Sequence, residues 1–168
     1  MVSKGDELPN PSTVVRYVGL SQMEHYGDNV VGPLPTAFEG RATDDSLSVT
    51  WCEYFVGHPD HKLRCAIETI RSSMNVKRKA CFCVARTDDL AAAGATFGRA
   101  PRAVYLPVPR NDAHAGIYDV MPADLEAITE GELKLLELLA REAWSRFLTR
   151  EMADALPLAQ CEKSPDVS

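Results

Sequence analysis

The chain has 168 residues, with 18 Lys and Arg against 24 Asp and Glu, and a formal net charge of −6 at pH 7. Its hydrophobic fraction is 45% and its charged fraction is 25%, which are ordinary values for a globular protein. This composition excludes collagen-like, coiled-coil and low-complexity chains. The acidic balance argues against broad electrostatic binding to nucleic acid. The length predicts one domain and also allows two small ones.

The sequence predicts a cytoplasmic protein with free thiols and no membrane contact. No stretch approaches about 18 consecutive apolar residues, the length at which a membrane-spanning helix is expected. The polar segment from Met1 to Pro11 lacks the apolar core of a signal peptide. The five cysteines are odd in number, and Cys81 and Cys83 are too close in sequence for an ordinary mutual disulfide. These features favour a reducing compartment.

The first part of the chain contains two strand signals separated by a long segment of turn-forming residues. A β-branched and aromatic run predicts the first strand over 13–18. Strict alternation of apolar and hydroxyl side chains predicts another strand over 46–51. The intervening segment, rich in Gly, Pro and Asp, is either a functional loop or a hairpin around Gly27 and Asp28.

Helix and strand signals then follow one another. Pro59 suits a first helical turn, and apolar residues at helical spacing predict a helix over 59–73. The apolar run 80–85 predicts a strand that is buried on both faces. The run 103–108 predicts a further strand, which Pro107 assigns to a sheet edge or a strand end.

The strongest helix signal lies near the C-terminal end. Thr129 and Glu132 have the spacing of a capping box, in which each residue satisfies a backbone N–H of the other. Apolar residues continue at helical spacing, which predicts one helix over 129–155 that ends before Pro157.

These elements predict an α+β fold with a small mixed four-stranded sheet packed by two helices. The predicted strands are 13–18, 46–51, 80–85 and 103–108, and the packing helices are 59–73 and 129–155. The segment 80–108 would form a right-handed crossover if its two strands were parallel neighbours. The polar ends 1–13 and 157–168 are predicted as disordered tails around a single globular domain, 14–156.

Cysteine and histidine cluster in the pattern Cys52-x5-His58-x2-His61-x3-Cys65. Two thiolates and two imidazoles form a complete zinc shell by residue type. The spacing matches no standard zinc finger. The alternative is a buried Cys65, a strand-end Cys52 and an exposed turn that carries the two histidines.

A cysteine nucleophile is a further hypothesis. Cys81 and Cys83 share one face of a predicted strand, where free cysteines often act as small core hydrophobes. A nucleophilic thiol would need a nearby base, and His114 is the candidate. His114 follows a predicted strand in a polar loop, where binding residues concentrate, and Asp112 or Asp119 could orient its ring. The alternative is a loop histidine bonded to the backbone.

The last constellation combines an arginine on the first strand, a hydroxyl-bearing strand and a carboxylate just beyond it. Arg16, Ser48 and Glu53 occupy these positions, and Arg41 ends the long loop. This order resembles the ingredients of NAD-handling ADP-ribosyltransferase-like folds, although it is a likeness of residue order and assigns no family. The resemblance implies that Arg16 and Arg41 bind the pyrophosphate and that Ser48 supports the nicotinamide ribose. Glu53 would stabilise an oxocarbenium-like centre.

Several common catalytic motifs are absent from the sequence: the P-loop, the dinucleotide-binding glycine motif, the nucleophile elbow and the His-Glu-x-x-His motif. We therefore expect a small cytosolic binding or accessory module for a protein partner, with no nucleic acid, membrane or cofactor involved. One alternative is an NAD-consuming enzyme that uses Arg16, Ser48 and Glu53, with His114 as a further catalytic candidate. A second alternative is a zinc-stabilised module at Cys52, His58, His61 and Cys65.

Overall fold

The computed structural model describes residues 1–40, 43–144 and 146–168. The strands within these ranges are β1 (Thr13–Val18), β2 (Met23–Tyr26), β3 (Asn29–Pro33), β4 (Leu47–Trp51), β5 (Cys81–Arg86), β6 (Arg102–Tyr105), β7 (His114–Tyr118) and β8 (Arg146–Leu148). The α-helices are α1 (Pro59–Ser73), α2 (Thr87–Ala95), α3 (Glu130–Leu138) and α4 (Arg150–Asp154). None of the helices in these ranges has both the length and the apolar character needed to cross a bilayer.

Six strands form one sheet in the order β6-β7-β4-β1-β5-β8, and every neighbouring pair is antiparallel. The predicted combination of helices with a sheet is confirmed, but the four-stranded mixed sheet is wrong. The extra strands β7 and β8 are short and arise from segments without strand alternation in the sequence. The strands β5 and β6 are not neighbours, because β1, β4 and β7 lie between them, so no parallel crossover forms.

The two faces of the sheet are covered by different elements. Helix α1 packs on β1 and β4, and we call this side the α1 face. Here the Tyr17 and Phe82 rings meet edge to face with centroids 6.4 Å apart, and the Arg71 guanidinium lies over Phe82. On the opposite face, buried Phe38 stacks on buried Trp144 at 5.2 Å between ring centroids. The central strands are therefore buried on both sides, as the apolar run of β5 predicted.

The helix predicted over 129–155 is only partly correct. Its start is confirmed, because Thr129 and Glu132 form a complete capping box at the beginning of α3. The α-helix ends at Leu138, and the chain then forms one π-helical segment, Leu139–Ala143. The chain then forms β8 along the edge of β5 before α4 begins. Pairing with β5 satisfies backbone groups of Phe147 and Leu148, so tertiary pairing overrides the local helical pattern.

The long segment between β1 and β4 contains the hairpin that the sequence allowed. Strands β2 and β3 pair antiparallel, with Tyr26 opposite Asn29 across the turn at Gly27 and Asp28. Gly27 has a φ of 62°, a conformation that glycine adopts without steric cost. A short 3₁₀ turn, Pro35–Phe38, then buries Ala37 and Phe38. The segment therefore contributes to the core and is not a free loop.

The segments predicted as disordered tails, 1–13 and 157–168, differ from that expectation. At the N-terminal end, the backbone N–H groups of Gly5 and Leu8 donate to carbonyls of β6, each at 2.8 Å. At the C-terminal end, the Ser164 N–H donates to the Tyr54 carbonyl at 2.7 Å, and Val167 is buried. Backbone pairing to a sheet edge needs few apolar residues, so composition did not reveal it.

Candidate functional site

A polar cleft of about 470 Å³ opens on the α1 face of the sheet. It lies between β1, β4, the C-terminal end of α1 and the turn that precedes β7. Its polar lining includes Arg16, Asp44, Ser48, Thr50, Asn111 and His114. The volume falls within the usual range for small-molecule sites.

A smaller cavity of about 240 Å³ lies beside Phe82 and is lined by Arg71, Lys77 and Arg150. Arg71 donates to Glu68 and to Asp154, both at 2.7 Å, and Arg150 lies 3.8 Å from Asp154. Both arginines are thus paired with carboxylates, which makes the larger cleft the better candidate site.

The alternating strand β4 supplies one wall of the cleft. Its apolar residues Leu47, Val49 and Trp51 are buried on the face opposite α1. Thr50 pairs with Val15 in the ladder, so the side chains of Ser48 and Thr50 point to the α1 face. The hydroxyl face that the sequence predicted therefore belongs to the cleft, with Ser48 exposed and Thr50 only 2% exposed.

The turn before β7 brings Asn111 onto Thr50. The Asn111 Nδ2 donates to Thr50 Oγ1 at 2.9 Å. Val108 and Asn111 exchange two backbone hydrogen bonds, and Arg110 between them has a φ of 72°, which is unusual outside glycine. The Arg110 guanidinium donates to the Ser72 carbonyl at 3.1 Å, which ties the turn to α1.

Among the described residues that line the cleft, only Asn111 has a buried side-chain polar atom without a hydrogen-bond partner. The residue is 7% exposed, and its Oδ1 is buried with no hydrogen-bond partner in the described part of the chain. A buried acceptor without a donor costs about 1–3 kcal/mol. Such an atom beside a cleft is a position at which a ligand donor would be stabilising.

His114 begins β7 directly opposite Thr50 in the ladder. Its Nδ1 lies 2.7 Å from the Leu106 carbonyl oxygen, so Nδ1 carries the proton and donates it. Burial lowers the pKa of His114, against the opposing effect of that hydrogen bond. The neutral ring therefore keeps Nε2 as an acceptor. The backbone orients the imidazole, whereas Asp119 accepts from Arg99 and from the Ala100 N–H.

Arg16 and Ser48 both line the cleft. The Arg16 side chain leaves β1 on the face opposite α1, because Arg16 alternates with Tyr17 on the strand and pairs with Cys83. Glu53 lies elsewhere. Arg16 donates through Nε to the Ala37 carbonyl at 3.1 Å and through Nη1 to the Ser48 carbonyl at 2.8 Å. Glu53 accepts from the Thr13 N–H at 2.9 Å, at the other end of β1. Thr13 and Arg16 are three residues apart, or roughly 10 Å along a strand. Asp44 is a carboxylate that does line the cleft.

Arg41, the second arginine predicted to bind the pyrophosphate, lies outside the described residues.

The four predicted zinc ligands do not meet at one point. Cys52 is a buried free thiol whose pKa is raised mainly by burial. His58 caps α1, with its Nδ1 accepting from the Asp60 N–H at 3.4 Å. Cys65 forms a disulfide with Cys161 across a sequence separation of 96 residues. The expectation that all the thiols are free is therefore wrong, because the C-terminal segment returns to α1.

Cys81 and Cys83 are buried free thiols of β5. Burial raises the pKa of Cys81 and raises that of Cys83 to about 12, so both remain protonated at neutral pH. Cys83 pairs with Arg16 and so faces away from α1, whereas His114 faces α1 opposite Thr50. The structure does not bring the candidate nucleophile and base together.

Sequence reasoning missed Asn111, Asp44 and Cys161. Asn111 lies in a polar turn next to the predicted base, which was a usable signal. Asp44 had no distinguishing pattern in its acidic loop. Cys161 had only the odd cysteine count to draw attention to it, and it fell in a segment predicted as a tail.

No protein-family model, curated protein or solved structure matches the chain.

Proposed function

We propose that the protein is a binding module whose ligand enters the cleft between β4, the Val108–Asn111 turn and the end of α1. The observation that carries this proposal is that Asn111 lines the cleft and that its buried Oδ1 has no hydrogen-bond donor in the described chain. A ligand N–H at that atom would remove the cost of the unsatisfied acceptor.

The groups around Asn111 indicate the chemistry of the ligand. His114 Nε2 is an acceptor, since Nδ1 holds the proton, and the Asp44 carboxylate lines the same cleft. The Arg16 guanidinium is engaged with two backbone carbonyls. A cleft rich in acceptors favours a small ligand that presents N–H donors, such as a guanidinium, an amidine or a primary amide.

The test is binding of small N–H donors to the wild-type protein and to Asn111→Leu. We expect arginine amide, benzamidine or nicotinamide to shift the NMR signals of the Asn111 side-chain amide. Loss of a buried hydrogen bond to Oδ1 should weaken affinity in Asn111→Leu about ten- to hundredfold.

Asn29→Leu is the matched control, because Asn29 lies on β3 away from the cleft. It should bind as tightly as the wild type. The proposal fails if none of the three probes binds, or if Asn111→Leu binds them with unchanged affinity.

An NAD-consuming enzyme is a second candidate, favoured because Arg16, Ser48 and His114 line one cleft. The carboxamide of nicotinamide also presents an N–H donor of the kind that Asn111 Oδ1 lacks. The carboxylate role would pass from Glu53 to Asp44, which lines the cleft. We then expect NAD turnover that Asp44→Asn abolishes and Glu53→Ala leaves unchanged, and absence of turnover by the wild type would remove this candidate.

The protein partner expected from the sequence is a third candidate, favoured by the β2–β3 hairpin. Tyr26 is 82% exposed and Val31 is 54% exposed on the same hairpin, and exposed apolar surface can mark a contact site. A partner that co-purifies with the wild type and is lost with Tyr26→Ser would support it. A strict monomer without a partner in size-exclusion chromatography would count against it.

A further inference from the structure

The smaller cavity beside Phe82 lies between the C-terminal end of α1, the segment that follows it, β5 and the start of α4. Its charged lining residues, Arg71, Lys77 and Arg150, are all cations, and no carboxylate of the described chain lines it. This sign is opposite to that of the whole protein, whose net charge is −6. Among the described lining residues, the cavity shares only Met74 with the larger cleft, so its occupancy does not depend on the function proposed for the cleft.

The guanidinium of Arg71 is held in place at the wall of this cavity. Its Nη1 donates to Glu68 Oε1 and to Asp154 Oδ1, both at 2.7 Å. Its Cζ lies 5.4 Å from the centroid of the Phe82 ring. The other terminal nitrogen, Nη2, is buried and has no hydrogen-bond acceptor in the described chain. A fixed guanidinium with an unused donor is suited to an oxyanion.

The ion pairs beside the cavity leave an excess of positive charge. Three arginines share two carboxylates there, namely Arg64, Arg71 and Arg150 with Glu68 and Asp154. This network therefore retains one positive charge. Lys77 forms no ion pair in the described part of the chain, so it adds a second positive charge at the cavity.

The last carbonyl groups of α1 would repel an anion if they had no donors, because a helix carries partial negative charge at its C-terminal end. The Ile70 carbonyl accepts from the Met74 N–H at 3.1 Å and from the Ser73 hydroxyl at 3.0 Å. The Ser72 carbonyl accepts from the Arg110 guanidinium at 3.1 Å. These donors reduce the repulsion, and Arg110 adds a further cation at this end of the helix.

The rest of the lining is largely apolar and consists of Met74, Val76, Ala80 and Phe82. Because Arg71 Nη2 is buried, an oxyanion reaches it only when part of the lining moves. Met74 is 44% exposed and has a flexible unbranched side chain, so it is the lining residue best suited to move. The cavity therefore favours a ligand in which an apolar group is joined to the anionic group.

We propose that this cavity binds a small phosphate monoester whose organic group is apolar. The two negative charges of a phosphate monoester match the excess of two positive charges, whereas a carboxylate or a sulfonate carries only one. The phosphate oxygens accept from Arg71, Lys77 and Arg150. The volume of about 240 Å³ lies below the roughly 300–1,000 Å³ of ordinary small-molecule sites. It restricts the organic group to a short chain or a single ring.

The test compares three probes that share one ring and differ in charge: phenyl phosphate, benzenesulfonate and phenol. Calorimetric titration at low salt and about pH 7.5 keeps the phosphate group close to its doubly charged form. We expect phenyl phosphate to bind about ten- to hundredfold more tightly than benzenesulfonate, because the second charge strengthens the hydrogen bonds to the cations. Phenol should not bind, and added NaCl should weaken the binding of phenyl phosphate.

Lys77→Gln removes the unpaired cation from an exposed position, so the variant should fold and should bind phenyl phosphate about tenfold more weakly. Arg150→Gln, whose side chain is 55% exposed, should have a similar effect. Lys79→Gln is the matched control, because Lys79 belongs to the same exposed basic run and does not line the cavity. It should bind as tightly as the wild type, and so should Asn111→Leu, the cleft variant.

A peptide that carries phosphotyrosine identifies the source of the ester. Tighter binding of the peptide than of phenyl phosphate would assign the ester to a protein side chain, and weaker binding would assign it to a free small molecule. Either result supports a phosphate monoester. The proposal is overturned if neither phosphate probe binds or if benzenesulfonate binds as tightly as phenyl phosphate. An equal loss of affinity in Lys77→Gln and Lys79→Gln would also overturn it, because it would show unspecific attraction to the basic run.

Discussion

Gly116 illustrates how a missing side chain shapes the packing around a strand. It lies on β7, opposite Ser48 on β4 and Val104 on β6. A Cβ built on Gly116 would lie 2.3 Å from Ser46 Oγ, 2.9 Å from Ser46 Cβ and 3.1 Å from Leu106 Cδ1. The close contact of Ser46 and Leu106 with β7 therefore requires glycine at this position.

We expect Gly116→Ala to lower the free energy of unfolding by about 1–3 kcal/mol, because the added methyl group must displace Ser46 and Leu106. Gly32→Ala is the matched control, since a Cβ on Gly32 of β3 meets no atom within 4 Å. Its stability should be unchanged or higher by up to about 1 kcal/mol. Urea unfolding measures both changes, and equal effects would contradict this account of Gly116.

In the first turn of helix α3, the Glu132 carboxylate accepts several hydrogen bonds. Glu132 accepts from the backbone N–H groups of Ala123 and Thr129, both at 2.9 Å, and from the Thr129 hydroxyl at 2.8 Å. Arg99 lies 3.2 Å away. These hydrogen bonds lower the pKa of Glu132 to about 2. The Ala123 N–H has the largest effect, and the Thr129 groups follow. The cap thus joins the start of α3 to the loop before it and to Arg99.

This low pKa predicts how stability depends on pH. The carboxyl of Glu132 titrates near 4.3 in the unfolded chain and at about 2 in the folded chain. Its stabilising effect is therefore complete above about pH 5 and is lost as the pH falls toward 2. Glu132→Gln keeps an acceptor but cannot ionise, so it should be less stable at neutral pH and should lose less stability on acidification.

Urea midpoints at several values between pH 7 and pH 2 measure this difference. The wild type and Glu132→Gln share their other carboxylates, including Asp119 and Asp154, whose pKa values are lowered by hydrogen bonds and nearby arginines. The gap between the two curves therefore reports Glu132 together with its coupling to Asp119 through the shared Arg99. Parallel curves would contradict the assigned role of this carboxylate.

Both chain ends take part in the fold. The N-terminal segment runs along β6, where Glu7 bridges to Val104, and the C-terminal segment bridges from Lys163 to Phe55. Val2 and Val167 pair with each other, so the two ends meet. The strand β6 would otherwise present unpaired backbone groups at one edge of the sheet. The disulfide at Cys161 adds a covalent link between α1 and the C-terminal segment.

We expect Cys161→Ser to lower the free energy of unfolding by about 2–4 kcal/mol, because the disulfide closes a long loop and restricts the unfolded chain. Cys161 is exposed, so the serine itself should add little cost. Thermal or urea unfolding with and without a reducing agent measures the effect. Reductant should destabilise the wild type to the level of Cys161→Ser and leave the variant unchanged, and a wild type insensitive to reductant would contradict the prediction.

Local patterns in the sequence predicted the elements that depend on neighbouring residues. Alternation identified β4, the β-branched run identified β1, and helical spacing after Pro59 identified α1 with the bounds that the structure has. The capping box at Thr129 identified the start of α3. In each case the decisive contacts join residues within about four positions of one another. The spacing of apolar and polar side chains along the sequence therefore predicts them directly.

The candidate site was only partly predictable for the same reason. The hydroxyl face of β4 and His114 were accessible from local patterns, and both line the cleft. The position of Glu53 was not accessible from local patterns, because no neighbouring residue indicates that its carboxylate accepts from the Thr13 N–H. The bond from Asn111 to Thr50 joins residues 61 positions apart, so no spacing in the sequence announces it.

The sequence by itself determined the ordinary globular composition, the mixture of helices and strands, and the first residues of α1 and α3. Tertiary structure alone decided the order of the six strands, the conversion of the expected long helix into a π-helical segment and β8, and the partner of Cys65. The physical reason is that these features depend on which backbone edge, side chain or sulfur arrives from a distant part of the chain. These distant groups form hydrogen bonds and bury surface in segments whose local sequence is compatible with more than one conformation.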